Sequence, residues 1–288
     1  MRTSIGSKAG WVFTLPYLAF IAVFLAYPIA FALYLVFVRW DLIAAPQFVG
    51  LANVRYLLQD REFWQALLNT FVFLCVNVPL QIAAALAIAL ALAQPIALRG
   101  FFRAAFFVPV VISVAVVSLL WQQVYNTDNG LLNALLRAAG LPAVAWLTDP
   151  HVAMPAIAGM VAWKNVGLYV LFFLGGILAV PPQLYEAAKL EGASPWQEFR
   201  YVTLPLVRPA MFLVVVLSTI AGFNLFIEPY VMTGGGPLES TLSVVLYMYK
   251  HAFSFLDMGY AATVGVALAL IVLAVVSLER RLLEDRGA

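Results

Sequence analysis

The sequence predicts an all-α polytopic membrane protein with six transmembrane helices. Apolar runs of span length recur along the chain, charged residues collect in the segments between them, and one long polar stretch divides the fourth run from the fifth. Of the 288 residues, 64% are hydrophobic and 10% are charged, and the mean hydropathy is +0.97. A water-soluble domain has too little interior to hide that much apolar surface, so the solvent is lipid. A net charge of +2 is too small to point to nucleic acid as a partner. The single cysteine, Cys75, allows no intrachain disulfide, and its place in an apolar run reads as a packed thiol.

Met1 to Gly10 is weakly basic. Trp11 to Val38 is then apolar for 28 residues, against the roughly 7–15 of a cleavable signal, so it reads as a retained span. Pro16 and Pro28 inside it predict kinks. Val49 to Gln65 mixes charge with Leu, Tyr, Phe and Trp, as an interfacial helix does. Leu67 to Ala93 is the second span, Gln94 to Arg103 a tight turn, and Ala104 to Val124 the third span. That third span has Phe101, Phe102, Phe106 and Phe107 at its start and Trp121 and Tyr125 at its end, an aromatic belt. A polar loop from Asn126 to Pro150 has room for a short helix at Gly130 to Ala139. Ala153 to Val180, Leu206 to Ile227 and Tyr260 to Leu278 are the last three spans, and Glu279-Arg280-Arg281 stops the sixth. The glycines of Thr233-Gly234-Gly235-Gly236-Pro237 suit a flexible turn, and no Gly-Lys-Ser/Thr follows to make it a phosphate cradle.

The polar stretch runs from Pro181 to Pro209 and carries Glu186, Lys189, Glu191, Glu198 and Arg200. Tyr185 to Glu191 favour a helix that Gly192 stops. Pro195 opens a second short helix that Pro205 ends. Two short helices joined by a bend therefore lie on the membrane surface.

Charge orients the chain. The N-terminus, the Gln94–Arg103 turn, the polar loop and the C-terminal tail hold ten Lys and Arg, and the opposite loops hold five. By the positive-inside rule both termini and the polar loop are cytoplasmic.

No Walker A sequence, His-Glu-x-x-His, paired cysteine cluster or Gly-x-Ser-x-Gly occurs, so neither catalysis nor a cofactor is expected in this chain. His151 and His251 read as solvated loop residues. Polar residues at membrane depth are costly and more informative. The fourth span carries Lys164, Asn165 and Tyr169; the fifth carries Ser218, Thr219, Asn224 and Glu228. Asn165 and Tyr169, four apart, share a helix face, as Gly222 and Leu225 do at three apart. Each asparagine reads equally as a hydrogen bond between helices or as a contact to a solute. Lys164 and Glu228 suit snorkelling at the outer interface.

Glu186-Ala187-Ala188, Gly192 six residues after the glutamate, and then Leu204-Pro205 resemble the EAA loop of ABC-importer permeases. Together with the span spacing, Thr-Gly-Gly-Gly-Pro after the fifth span and the Glu-Arg-Arg-Leu-Leu-Glu tail, the chain is similar to the carbohydrate-uptake branch of the type I importers. Within that branch it resembles the larger maltose-transporter permease subunit, without that protein's large outer domain and extra N-terminal spans. The resemblance implies a single permease domain over 1–288 in the bacterial inner membrane, with residues 181–209 as its coupling loop. It implies a second permease forming a heterodimer, two ATPase subunits where ATP is hydrolysed, and an extracytoplasmic sugar-binding protein. Glu186, Ala187, Ala188, Gly192, Leu204 and Pro205 would couple to the ATPase. Asn165, Tyr169, Gly222, Asn224 and Leu225 would line the substrate path.

The competing class is an ATP-independent secondary transporter or channel for a small polar solute. Such proteins place ionisable groups mid-span for coupling ions, and the span centres here are nearly free of Asp and Glu.

The six-span reading has a direct check. Reporters fused after Arg286 and inserted near Arg99 should read as cytoplasmic and one near Asn129 as external; an external reading at the C-terminus contradicts it.

Overall fold

The computed structural model describes residues 6–284. The chain opens with α1 (Gly6–Ile21), which passes through a π-helical turn (Ala22–Ala26) into α2 (Tyr27–Leu35). The cause is Pro28, which has no N–H and whose ring crowds the carbonyl of Phe24. The wider turn absorbs both effects, and the Tyr27 N–H donates to Ala22, five residues back. Pro16, the other expected kink, sits inside α1.

A two-stranded antiparallel ribbon follows, β1 (Val38–Arg39) with β2 (Gln47–Phe48), Val38 facing Phe48. Between them the Asp41 carboxylate accepts from the backbone N–H of Ala44 at 2.8 Å and of Ile43 at 3.0 Å. Those donors, Ala44 first, hold its carboxyl below the usual carboxylate range. The interfacial helix is shorter than expected: α3 (Ala52–Gln59) ends at an extended Asp60, and Arg61 to Gln65 already belong to α4 (Arg61–Ala93).

The third apolar run is broken. It forms α5 (Arg99–Val111) and α6 (Val114–Val124), whose axes meet at 98°. The β-branched run Val110-Val111-Ile112 follows Pro109, and Ile112 and Ser113 adopt extended backbone. Without the break the Val110 carbonyl would accept from Val114; instead it accepts from the Lys164 ammonium at 3.3 Å. Lys164 is therefore 7% exposed and caps a broken helix, where the sequence suggested a snorkelling cation.

Next come α7 (Leu131–Ala138), where a short helix was expected, α8 (Ala153–Leu178) and α9 (Pro182–Leu190). The second helix of the polar loop is composite: α10 (Pro195–Gln197), a π-helical turn (Glu198–Thr203) and α11 (Leu204–Leu206). Pro205 does not end it. The wide turn, in which the Leu204 N–H donates to Phe199, makes room for the ring, and the chain turns by 66° only after Leu206, into α12 (Arg208–Phe223).

The fifth apolar run also stops early, at Phe223, and α13 (Ile227–Met232) follows. Pro229 offers no N–H to the Leu225 carbonyl, and the Ser243 hydroxyl donates to that oxygen instead, at 2.6 Å. The Thr233–Pro237 turn is ordered rather than loose. The Thr241 hydroxyl donates to the Gly236 carbonyl at 2.7 Å, and the Gly236 N–H donates to Thr233 at 3.1 Å. The chain ends through α14 (Val244–Tyr249), a π-helical turn (Lys250–Ser254) and α15 (Met258–Glu284).

Among the described residues four helices are long and apolar enough to cross a membrane singly: Phe13–Leu35, Arg61–Ala93, Ala153–Leu178 and Met258–Leu282. Counting each of the two bent pairs as one span gives six.

The chain divides into two compact units. One takes the described residues up to Arg61 together with Met248–Leu270. There the buried Asn53 amide donates to the carbonyls of Val36 (3.0 Å) and Val38 (2.9 Å), the Met258 N–H donates to Trp40 (3.0 Å), and the Tyr260 hydroxyl donates to Asp60. His251, expected in solvent, packs edge-on against the rings of Phe255 and Tyr260 with centroids 5.1 and 4.8 Å away. Burial pushes its imidazole pKa down, against the opposing pull of Asp257 and Asp60.

The other unit takes Glu62–Tyr247 and the chain from Ile271 on. Its core joins Ala85, Ala89 and Leu92 of α4 to Val170, Phe173 and Leu174 of α8 and Val214 of α12. Cys75 lies on the exposed side of α4, not in this core; in lipid the outward face of a helix is apolar, so an apolar neighbourhood does not imply burial. Gly167 of α8 lies against the Phe106 backbone of α5, where any Cβ would overlap the carbonyl. Overpacking of this kind costs about 1–3 kcal/mol. Gly167→Val should therefore lower the melting temperature of the purified protein by several degrees; an unchanged melting curve contradicts the tight crossing of α5 and α8.

Candidate functional site

Two features of the Glu62–Tyr247 unit gather the residues singled out by the sequence. The first is the polar loop. At the end of α9 the Gly192 N–H donates to Lys189 (3.0 Å) and the Ala193 N–H reaches back to Ala188 (2.9 Å). Gly192 has φ +80°. This is a Schellman motif, and it gives the Glu-Ala-Ala-x-x-x-Gly-Ala spacing a physical meaning. The second Ala supplies the carbonyl that the residue after the glycine must reach. A Cβ at Gly192 would meet nothing within 4 Å, so the glycine serves its backbone conformation alone.

Beyond the bend a capping box opens α10. The Ser194 N–H donates to Gln197 Oε1 at 2.7 Å and the Gln197 N–H to Ser194 Oγ at 3.4 Å. The hydroxyls of Tyr185 and Thr203, 3.1 Å apart, tie the two arms together. Glu186 is exposed, but it lies in the middle of α9, not in its first turn, because the helix already starts at Pro182. Ala187 is exposed and Ala188, Leu204 and Pro205 are half-buried. Leu190, 90% exposed, and the exposed Trp196 and Tyr201 give this polar loop an apolar surface.

The second feature is a cavity of about 140 Å³ between α4, α8 and α12. All five residues proposed for the substrate path line it: Asn165, Tyr169, Gly222, Asn224 and Leu225. Their roles differ. A Cβ on Gly222 would overlap Leu74, so this glycine lets α12 approach α4. The Asn224 amide donates to Ile220 at 2.8 Å from an exposed position. Asn165 is half-buried, and its amide joins no helix–helix hydrogen bond among the described residues.

Four further polar lining residues, Asn77, Gln81, Ser218 and Glu228, lay outside the proposed path. Asn77 donates to the Ala158 carbonyl at 2.9 Å, and the Ser218 hydroxyl donates to Gln81. For Asn77 and Gln81 the signal was present in the spacing. Phe73, Asn77 and Gln81 recur every four residues on α4, as Val161, Asn165 and Tyr169 do on α8, so each set makes one stripe. Glu228 lines this cavity from the first turn of α13. Thr219 takes no part: it donates to Glu279 at 2.7 Å.

Comparison with known proteins places this arrangement. Residues 59–286 match the model of the family described as binding-protein-dependent transport system inner membrane component. The lactose transport system permease protein LacF of Rhizobium radiobacter is 36% identical over 269 residues, covering 91% of this chain and 90% of that one. The trehalose/maltose transport system permease protein MalF of Thermococcus litoralis is 33% identical, covering 93% and 90%. The sn-glycerol-3-phosphate transport system permease protein UgpA of Agrobacterium fabrum is 31% identical, covering 94% and 93%. A chain from the crystal structure of a bacterial alginate ABC transporter, in complex with its alginate pentasaccharide-bound periplasmic protein, superposes with a TM-score of 0.83 at 21% identity, covering 96% and 94%. That likeness establishes the fold. With apolar helices of span length and a family match over most of its length, the chain belongs to the binding-protein-dependent transport system inner membrane components.

Proposed function

We propose that this chain is one of two permease subunits of an ATP-driven carbohydrate importer, forming half of the translocation pore. The observation that carries this reading is the convergence of Asn165, Tyr169, Gly222, Asn224 and Leu225 on one polar cavity between helices that flank the polar loop. Lipid would penalise such a cavity; a hydroxyl-rich solute uses it. The names of the relatives, which include lactose and trehalose/maltose systems, support a sugar as cargo. The complete importer then has a second, related permease, two cytoplasmic ATPase subunits and an extracytoplasmic sugar-binding protein, with both termini and the loop on the cytoplasmic side. This chain needs no cofactor of its own in that scheme.

The loop is the joint. Closure of the ATPase pair moves α9 and the composite helix after it, and the Gly192 bend keeps the two arms rigid while the spans change their opening. Glu186, Ala187 and Ala188 lie on the first arm, and Leu204 and Pro205 form the shoulder leading into α12.

Gly192→Val tests this. A Cβ in the left-handed region costs about 1–2 kcal/mol, and the open space around Gly192 means the substitution disturbs only the bend and whatever docks on it. The expected outcome is normal membrane insertion, normal assembly and normal capture of sugar by the binding protein, with sugar-stimulated ATP hydrolysis and uptake lost together. Glu186→Ala, in mid-helix, should act on the same step more mildly. Normal uptake by an assembled Gly192→Val importer would show that the loop is not the coupling element.

A further inference from the structure

The relatives divide by the charge of the cargo in their names: lactose and trehalose or maltose are neutral, and glycerol 3-phosphate is an anion. The cavity wall bears on that division. Hydroxyls can be recognised by donors and acceptors without net charge. The amides of Asn77, Gln81 and Asn165 and the hydroxyls of Tyr169 and Ser218 supply them. Recognition of a phosphate or uronate needs a cation or a fork of N–H donors. Among the described residues no Lys, Arg or His lines the cavity, and the charged residue that does is an acid, Glu228.

Glu228 stands in the first turn of α13, and Lys164 lies within electrostatic reach. That lysine gives one N–H to the Val110 carbonyl and forms no part of the wall. A half-buried carboxylate in a wall that holds no cation makes the cavity hostile to negative charge.

We infer that this subunit selects uncharged polyhydroxylated solutes, and that Glu228 is the residue that turns phosphorylated and uronic sugars away. The inference rests on the reading of the cavity as part of the sugar path. The test uses the assembled complex of both permeases and the ATPase pair in detergent, without binding protein, so that the pore alone chooses. Saturation-transfer NMR reports contact by two neutral probes, lactose and trehalose, and two anionic ones, glycerol 3-phosphate and digalacturonate. In the native complex at least one neutral probe should exceed both anions by about tenfold, a difference of about 1.4 kcal/mol. Glu228→Gln should raise the anion signals about fivefold or more relative to the neutral ones, while Glu228→Asp keeps the anions out. Asn224→Lys, which sets a cation at the exposed side of the cavity, should also admit them and serves if Glu228→Gln does not assemble. Anions that bind the native complex as well as the neutral probes overturn the inference, as does continued exclusion after these charge changes. The underlying reading fails separately. If Asn165→Leu leaves the neutral signal untouched, the cavity is not the path, and the inference falls with it.

Discussion

A helix that breaks inside a membrane frees carbonyls that have no water to turn to. Four interruptions in this chain are met in specific ways. At the end of α5 the Lys164 ammonium takes the Val110 carbonyl, and after α12 the Ser243 hydroxyl takes that of Leu225. At Pro28 and Pro205 the backbone instead widens into a π-helical turn and bonds one residue further back. The broken third span, the early end of the fifth and the composite helix of the loop are possible because these substitutes exist. An unsatisfied backbone group in an apolar medium costs several kcal/mol, more than a chain of ordinary stability can repeat.

Both candidate sites sit where this constraint has been met. The early end of α12 releases Asn224 and Leu225 from regular helix, and with Glu228 of α13 they line the cavity that Asn165 and Tyr169 line from α8. Stripes at a spacing of four on α4 and α8 supply the rest of the polar wall. The loop solves a related problem at the surface, where the Schellman bonds and the capping box satisfy the adjoining ends of two short helices. A loop held in this way transmits displacement, whereas a loose one would absorb it.

The spans, the short helix after Gly130 and the two-armed loop with its bend at Gly192 were legible because they follow from local chemistry: apolar length, helix propensity and the backbone freedom of glycine. Of the five residues proposed for the path, Asn165, Tyr169, Gly222 and Asn224 were legible as polar or small groups at membrane depth, whereas Leu225 was named only by its spacing from Gly222. What was not legible depended on distant partners. The lysine that caps α5 is 54 positions from the carbonyl it serves, and the serine that closes α12 is 18 away. Read without those partners, Lys164 and Glu228 look like snorkelling ends, and Pro205 looks like a stop. His251 and Cys75 were misplaced for opposite reasons: a polar loop residue found an aromatic pocket, and a residue among apolar neighbours faced outward.

The central claim is that the Asn165 cavity belongs to a path that solute enters. The direct measurement is labelling of Asn165→Cys by a membrane-impermeant maleimide in the assembled importer, with the exposed Cys75 replaced by serine. The account predicts labelling that changes in rate between the ATP-bound and nucleotide-free complexes and slows when the cargo sugar is present. A cysteine that stays unlabelled in both states, in an importer that still takes up sugar, would contradict it.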